Sequence, residues 1–322
     1  MRSLALWLAL AGSLYPAGRT YELRGHLTPE SPATVSLFGA TTPFHAETQA
    51  DAQGRFRFRA LASGQYTLAV FIPGSGEFRQ TVDLSPATAD SKGRLDLNIP
   101  IDGLVSPDAL PDRAKVSARE LSIPESARGE YEDAQKELGH RDVAAAVAHL
   151  ERAVAIAPQF SAAWNNLGTI AYQTGEYARA DECFRKALEQ DPGSYEALVN
   201  LGGVLLNEGK TEEALPYNRT ATLRRPHDAL ANSQLGMSYF MLGNLESSQK
   251  YLEIAKHIDP AHFSYPQLTL ARIHLLRQER AQAIQELRDF LHRHPDAPES
   301  AHVRQQIAAL ETGAVESPAT PR

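Results

Sequence analysis

Between residues 20 and 101 apolar side chains alternate with polar ones. The stretch RFRFRALASGQYTLAVFI puts Phe56 and Phe58, then Tyr66, Leu68, Val70 and Ile72, on one face of two strands with Gly64 in the turn. The same alternation recurs at Val35 and Leu37, at Phe78, Gln80, Val82 and Leu84, and at Leu95, Leu97, Ile99 and Ile101. About six or seven short strands at regular spacing predict an antiparallel β-sandwich. From residue 125 the rhythm changes to helical spacing in paired segments, as in 164–174 and 178–190, separated at Gly175. The pattern predicts a multidomain chain, a sandwich followed by an all-α array.

The helical half repeats itself. Pro124, Pro158, Pro192, Pro226 and Pro260 are each 34 residues apart, and Pro295 follows after 35; a period of that length marks a solenoid. Each proline stops the second helix of its unit, because it lacks an N–H and disfavours helical geometry in the residue before it. Gly168, Gly202 and Gly236 fall in the middle of successive first helices, where glycine costs about 1 kcal/mol in helix propensity. Close helix–helix approach is the compensation that explains them. Ala180 and Ala187, with Ala146 and Ala153, Ala214 and Ala221, and Ala283 at matching places, do the same for the second helix. Trp164, Leu167, Tyr172, Phe184 and Leu188 are the larger groups that fill the gaps.

These residues resemble the tetratricopeptide repeat (TPR). Its W-x2-L-G, Y, A, F, A, P pattern is met by Trp164, Leu167, Gly168, Tyr172, Ala180, Phe184, Ala187 and Pro192, with the tyrosine one place late. Units at 195–228 and 229–262 keep Leu201, Gly202, Ala214, Ala221 and Pro226, and Leu235, Gly236, Tyr239, Leu252, Ala255 and Pro260. Flanking units are weaker, with Glu130 in place of Trp in the first, and Pro266 in the opening turn and Ala271 in place of Gly in the last. The resemblance covers residues 125–311, about five helical hairpins and a cap helix at 298–311 built on Val303, Ile307 and Leu310. Residues 312–322 read as a disordered tail.

The resemblance implies that the first helix of each unit faces a concave groove. Asn166, Asn200 and Gln234 then fall at one place, two residues before each mid-helix glycine, with Glu132 and Thr269 replacing them in the outer units. A row of amides can donate to and accept from the backbone of an extended peptide without reading its sequence. Asn165, Thr169, Tyr172, Gln173, Leu206, Met237, Phe240, Met241, Tyr265 and Arg272 are expected on or near the same wall, with Tyr172 and Phe240 equally suited to packing between units. The basic residues that clamp a carboxylate in chaperone-binding relatives are missing, and Leu230 stands where one is expected.

The segment from Asp51 through Gly54, Phe56, Phe58, Leu61, Gly64, Tyr66 and Leu68 to Val70 resembles the carboxypeptidase-regulatory-like and Cna-B-like modules, which share a transthyretin-like sandwich. Such modules act mostly as stalks, folding aids or adhesion surfaces, and some bind sugars. Lys92 is the only lysine within 20–101, so the residues assure no internal isopeptide. Residues 102–124, dotted with proline and aspartate, read as a linker.

Arg2 ahead of the apolar run 4–14 reads as a signal peptide over residues 1–18, and the run is too short to span a bilayer. The mature protein is therefore expected to be exported, periplasmic or extracellular. The lone Cys183 allows no intramolecular disulfide. The sandwich segment is balanced, so the net charge of -7 resides in the helical half and opposes nucleic acid as a partner. No H-E-x-x-H, G-x-S-x-G, phosphate loop or cysteine pair is present. His292 and His294 lack a third metal ligand and suit a helix C-terminus. Asn218-Arg-Thr220 matches a glycosylation sequon but falls within a predicted helix. No catalytic group, cofactor or metal is expected. The chain reads first as a non-enzymatic adaptor holding a protein or peptide in its groove, and second as a carbohydrate- or surface-binding protein whose sandwich makes the contact while the repeats mediate assembly.

Overall fold

The structure is a computed structural model describing residues 19–73, 76–101 and 122–312. The expected signal peptide, most of the linker and nearly all of the tail lie outside these residues. Seven strands form the N-terminal module: β1 (Tyr21–Thr28), β2 (Ala33–Gly39), β3 (His45–Ala50), β4 (Arg55–Leu61), β5 (Gly64–Ile72), β6 (Gly76–Leu84) and β7 (Arg94–Pro100). They make two sheets, ordered β4-β1-β7 and β3-β2-β5-β6. Leu23, Leu27, Val35, Leu37, Phe56, Phe58, Leu68, Val70, Val82 and Leu84 fill the space between the sheets, as the alternation requires. One pairing departs from the antiparallel expectation: β7 runs parallel to β1, from Glu22 against Arg94 to Thr28 against Pro100. The segment between β6 and β7 crosses from one sheet to the other instead of turning a hairpin, so β7 enters beside β1 in the same direction.

Among the described residues eleven helices follow: α1 (Glu125–His140), α2 (Val143–Ile156), α3 (Ser161–Gln173), α4 (Tyr177–Gln190), α5 (Tyr195–Asn207), α6 (Thr211–Arg224), α7 (Ala229–Met241), α8 (Leu245–Ile258), α9 (Pro266–Leu276), α10 (Arg280–Arg293) and α11 (Ser300–Thr312). Asp142, Ser194, Asp228 and Asn244 start helices by accepting from a backbone N–H in the first turn. The second helix of each hairpin ends two residues before its proline. The turn inside each hairpin needs one left-handed residue. Gly175, Gly209 and Gly243 supply it in the middle units, while Arg141 and Gln278 adopt φ of 63° and 64° in the outer ones.

The mid-helix glycines do mark close approach. A Cβ on Gly168 would lie 2.6 Å from the buried Phe184 ring, and one on Gly236 would lie 2.7 Å from Leu252 Cγ. Gly168→Ala is accordingly expected to destabilise the chain by about 1–3 kcal/mol despite the better helix propensity of alanine, because the ring has nowhere to retreat. Urea denaturation measures this directly; a stabilised variant would show that the α3–α4 contact can open.

The sandwich is docked against the solenoid. On the β3-β2-β5-β6 sheet, Ala69 and Thr81 point away from the sandwich core, yet they are only 6% and 4% exposed. What covers that face is the helical array. Gln173 Nε2, at the end of α3, donates to Gly39 O at 2.9 Å, and Arg141, after α1, lies over the Phe44 ring at 5.2 Å. On the opposite rim Thr81 N donates to Asp259 Oδ2 at 2.9 Å and Ala87 N to Asp296 Oδ2 at 3.0 Å. The module thus joins the ends of the first helices of units one and two to the loops between later units.

Candidate functional site

The wall expected to face the groove belongs to α3, α5, α7 and α9. Helices repeated every 34 residues bring equivalent positions of adjacent units together, and the polar groups of the wall bond across those steps. Asn200 Nδ2 donates to Asn165 Oδ1 at 3.1 Å and lies 3.4 Å from Thr169 Oγ1, whose hydroxyl donates to Asn165 O. Asn166 Nδ2 donates to Tyr131 OH at 3.1 Å, and Asn207 Nδ2 donates to Tyr172 OH at 2.6 Å. Burial pushes the Tyr172 hydroxyl up to about 12. Gln234 packs its amide over Gly203, and its Oε1 is buried with no hydrogen-bond partner among the described residues. Asn166 and Asn200, two of the three expected rungs, thus spend side-chain donors on stitching neighbouring units together.

The remaining wall positions separate into groups. Leu206 and Phe240 are core, 9% and 7% exposed, because the last turn of each first helix tucks beneath the next unit. Arg272 is exposed and places its guanidinium 4.9 Å from the centre of the Phe240 ring. Met237 and Met241 are half-buried; Met241 Sδ accepts from Thr211 Oγ1 at 3.7 Å. Tyr265 packs edge-on against Phe290 and His294 in the C-terminal core. Gln173 is engaged by the sandwich, as described above.

A second polar cluster lies at the seam between the two parts. Arg79 on β6 pairs with Glu77 and reaches Glu196 Oε1 of α5 at 3.5 Å; Arg225 Nη1 meets the same Glu196 oxygen at 3.2 Å and stacks 3.8 Å from the Tyr195 ring centre. Burial alone would raise the Glu196 carboxyl, but Arg79 and Arg225 outweigh it and hold it below its ordinary value. Sequence reasoning passed over Arg79, Glu196, Asp259 and Asp296. The one available signal was the Asp-Pro pair at 259–260, which also occurs at 191–192, where it meets no strand.

His292 is exposed and His294 fully buried, so the two do not converge, and no group of three or more His, Cys, Asp or Glu among the described residues is arranged to hold a metal. Asn218 of the sequon is buried and donates to Ser238 Oγ at 2.9 Å. No helix among the described residues is long and apolar enough to cross a membrane.

Residues 130–258 match the family described as the middle TPR-like domain of cilia and flagella-associated protein 70, and residues 27–98 match the carboxypeptidase regulatory-like domain. The human cell division cycle protein 16 homolog is 32% identical over 113 residues, which is 32% of this chain and 18% of that protein. A TPR repeat-containing protein of Rhizobium etli is 25% identical over 194 residues, covering 56% of this chain and 93% of its own. Among solved structures, PilW, a type IV pilus biogenesis factor, matches with a TM-score of 0.53 and 21% identity over 59% of this chain and 88% of its own, a likeness of fold alone. The chain thus joins a region like the carboxypeptidase regulatory-like domain to a TPR-like helical array.

Proposed function

We propose that this chain is an exported, non-catalytic adaptor that holds an extended segment of a protein partner in the concave groove, chiefly through the main chain of that segment. The observation that supports the reading is the way the solenoid grips its own sandwich. Gln173 bonds a backbone carbonyl, and Asp259 and Asp296 bond backbone N–H groups, so three side chains on both rims recognise main-chain groups. Such contacts are indifferent to the side chains of the bound segment and give affinity without strict sequence demand. Export rests on Arg2 and the apolar run that follows it.

The test is a crosslinking pull-down from the native host, followed by affinity measurement with the partner recovered. Asn200→Ala combined with Gln234→Ala is expected to weaken binding about ten-fold, the scale of one or two lost hydrogen bonds, with a cooperative melt retained. Unchanged affinity would remove the amide row from the binding surface.

A further inference from the structure

We infer that the sandwich is a resident competitor for the groove: docked in cis across the trough, it occupies main-chain-binding groups that a partner segment needs, and partner binding requires its release. The inference rests on the groove reading above. Three features of the seam carry it. The contacts lie on both rims, from Gln173 and Arg141 on one side to Glu196, Asp259 and Asp296 on the other, so the module spans the opening instead of resting on one end. The groups it presents, Gly39 O, Thr81 N and Ala87 N, are ones that any extended polypeptide offers, which makes the occupant exchangeable.

The third feature is the chemistry of the seam. It is held by polar contacts, among them the buried Thr81–Asp259 bond and the partly exposed Arg79–Glu196–Arg225 cluster that salt weakens, whereas each part keeps a separate apolar core. Opening the seam therefore leaves both cores intact. It also uncovers the β6 edge, whose Thr81 N–H is now covered by Asp259. A covalently tethered occupant needs only weak contacts to stay bound, because its effective concentration is high. A partner segment displaces it by supplying more contacts than the seam gives up.

The experiment uses the full chain and its Arg79→Glu variant, which sets a third carboxylate beside Glu77 and Glu196. Both are passed over an immobilised library of synthetic twelve-residue peptides, and amide hydrogen exchange at Thr81 and Ala87 is followed with the tightest peptide added. Release predicts faster exchange at both amides in the variant, at least about ten-fold tighter peptide capture, and faster exchange at 81 and 87 in the wild-type chain when peptide binds. Equal capture by the two proteins, with 81 and 87 still protected in the wild-type complex, overturns the competition while leaving the groove reading in place. Absence of capture by either, with the variant exchanging freely at 81 and 87, defeats the groove reading and the competition together. Should Arg79→Glu leave exchange unchanged, Ala87→Pro removes the donor to Asp296 from the sandwich side and leaves the groove groups in place, and the same comparisons apply with exchange read at Thr81.

Discussion

Replacing His294 with phenylalanine is expected to leave the chain about as stable as the wild type above pH 7 and about 3 kcal/mol more stable at pH 4. The imidazole is 0% exposed, lies against Tyr265 and Phe290, and neither ring nitrogen has a hydrogen-bond partner among the described residues. Burial drives its pKa down from 6.5 to about 4, with the Arg293 charge adding to the effect. The unfolded chain therefore takes up a proton near pH 6.5 while the folded chain refuses it until about pH 4. Stability is intact above 6.5 and drains away as the pH falls through that window. Phenylalanine keeps the ring contacts and has nothing to protonate. Denaturant titrations of both proteins between pH 4 and 8 measure the difference, and a difference that stays constant with pH would mean the imidazole is solvated or partnered.

Asp83→Asn is expected to act in the opposite window, raising stability by about 2–3 kcal/mol at pH 7.5 and leaving it unchanged below pH 3.8. Asp83 sits on β6 at the seam, its Oδ1 buried without a partner among the described residues; burial raises its pKa from 3.8 to about 6, and the charge of Asp296 pushes the same way. Here the folded chain keeps a proton that the unfolded chain surrenders. The stabilisation belongs to the protonated carboxyl, so it is complete below 3.8 and lost as the pH climbs through 6. Asparagine removes the charge at every pH. Because Asp296 also binds Ala87 N, the variant should slow exchange of that amide at neutral pH. A destabilised Asp83→Asn chain at pH 7.5 would show that the carboxylate is satisfied as an anion. Between pH 4 and 6 the two groups work against each other in the wild type, and each single variant exposes the slope of the other.

The repeat array was legible because two independent signals, the 34-residue period and the size of the residues at fixed places within it, agree over several units. Gly168 opposite Phe184 is the clearest case: an unfavourable helix residue made sense only as room for a large one, and the structure puts the ring there. The strands were legible for the same reason, but alternation reports which face a residue takes and not which way its neighbour runs, so the direction of β7 was out of reach. The amide row could be placed but its bonds could not, since Asn200 finds Asn165 only through the stacking of one unit on the next. The docking of the sandwich left no trace in the pattern. Both surfaces are polar, and an aspartate that ends a helix before proline looks the same whether or not a strand edge lies opposite.

The parallel pairing of β1 and β7 has a mechanical consequence. The module is entered at the start of β1 and left at the end of β7, and these points lie at opposite ends of one ladder. Tension between an anchored N-terminus and a load on the solenoid pulls the two strands past each other along their length. The ladder must then yield in shear, with all its bonds strained at once, instead of peeling one rung at a time. Loaded through its two ends, the sandwich is built to resist in shear and not to unzip.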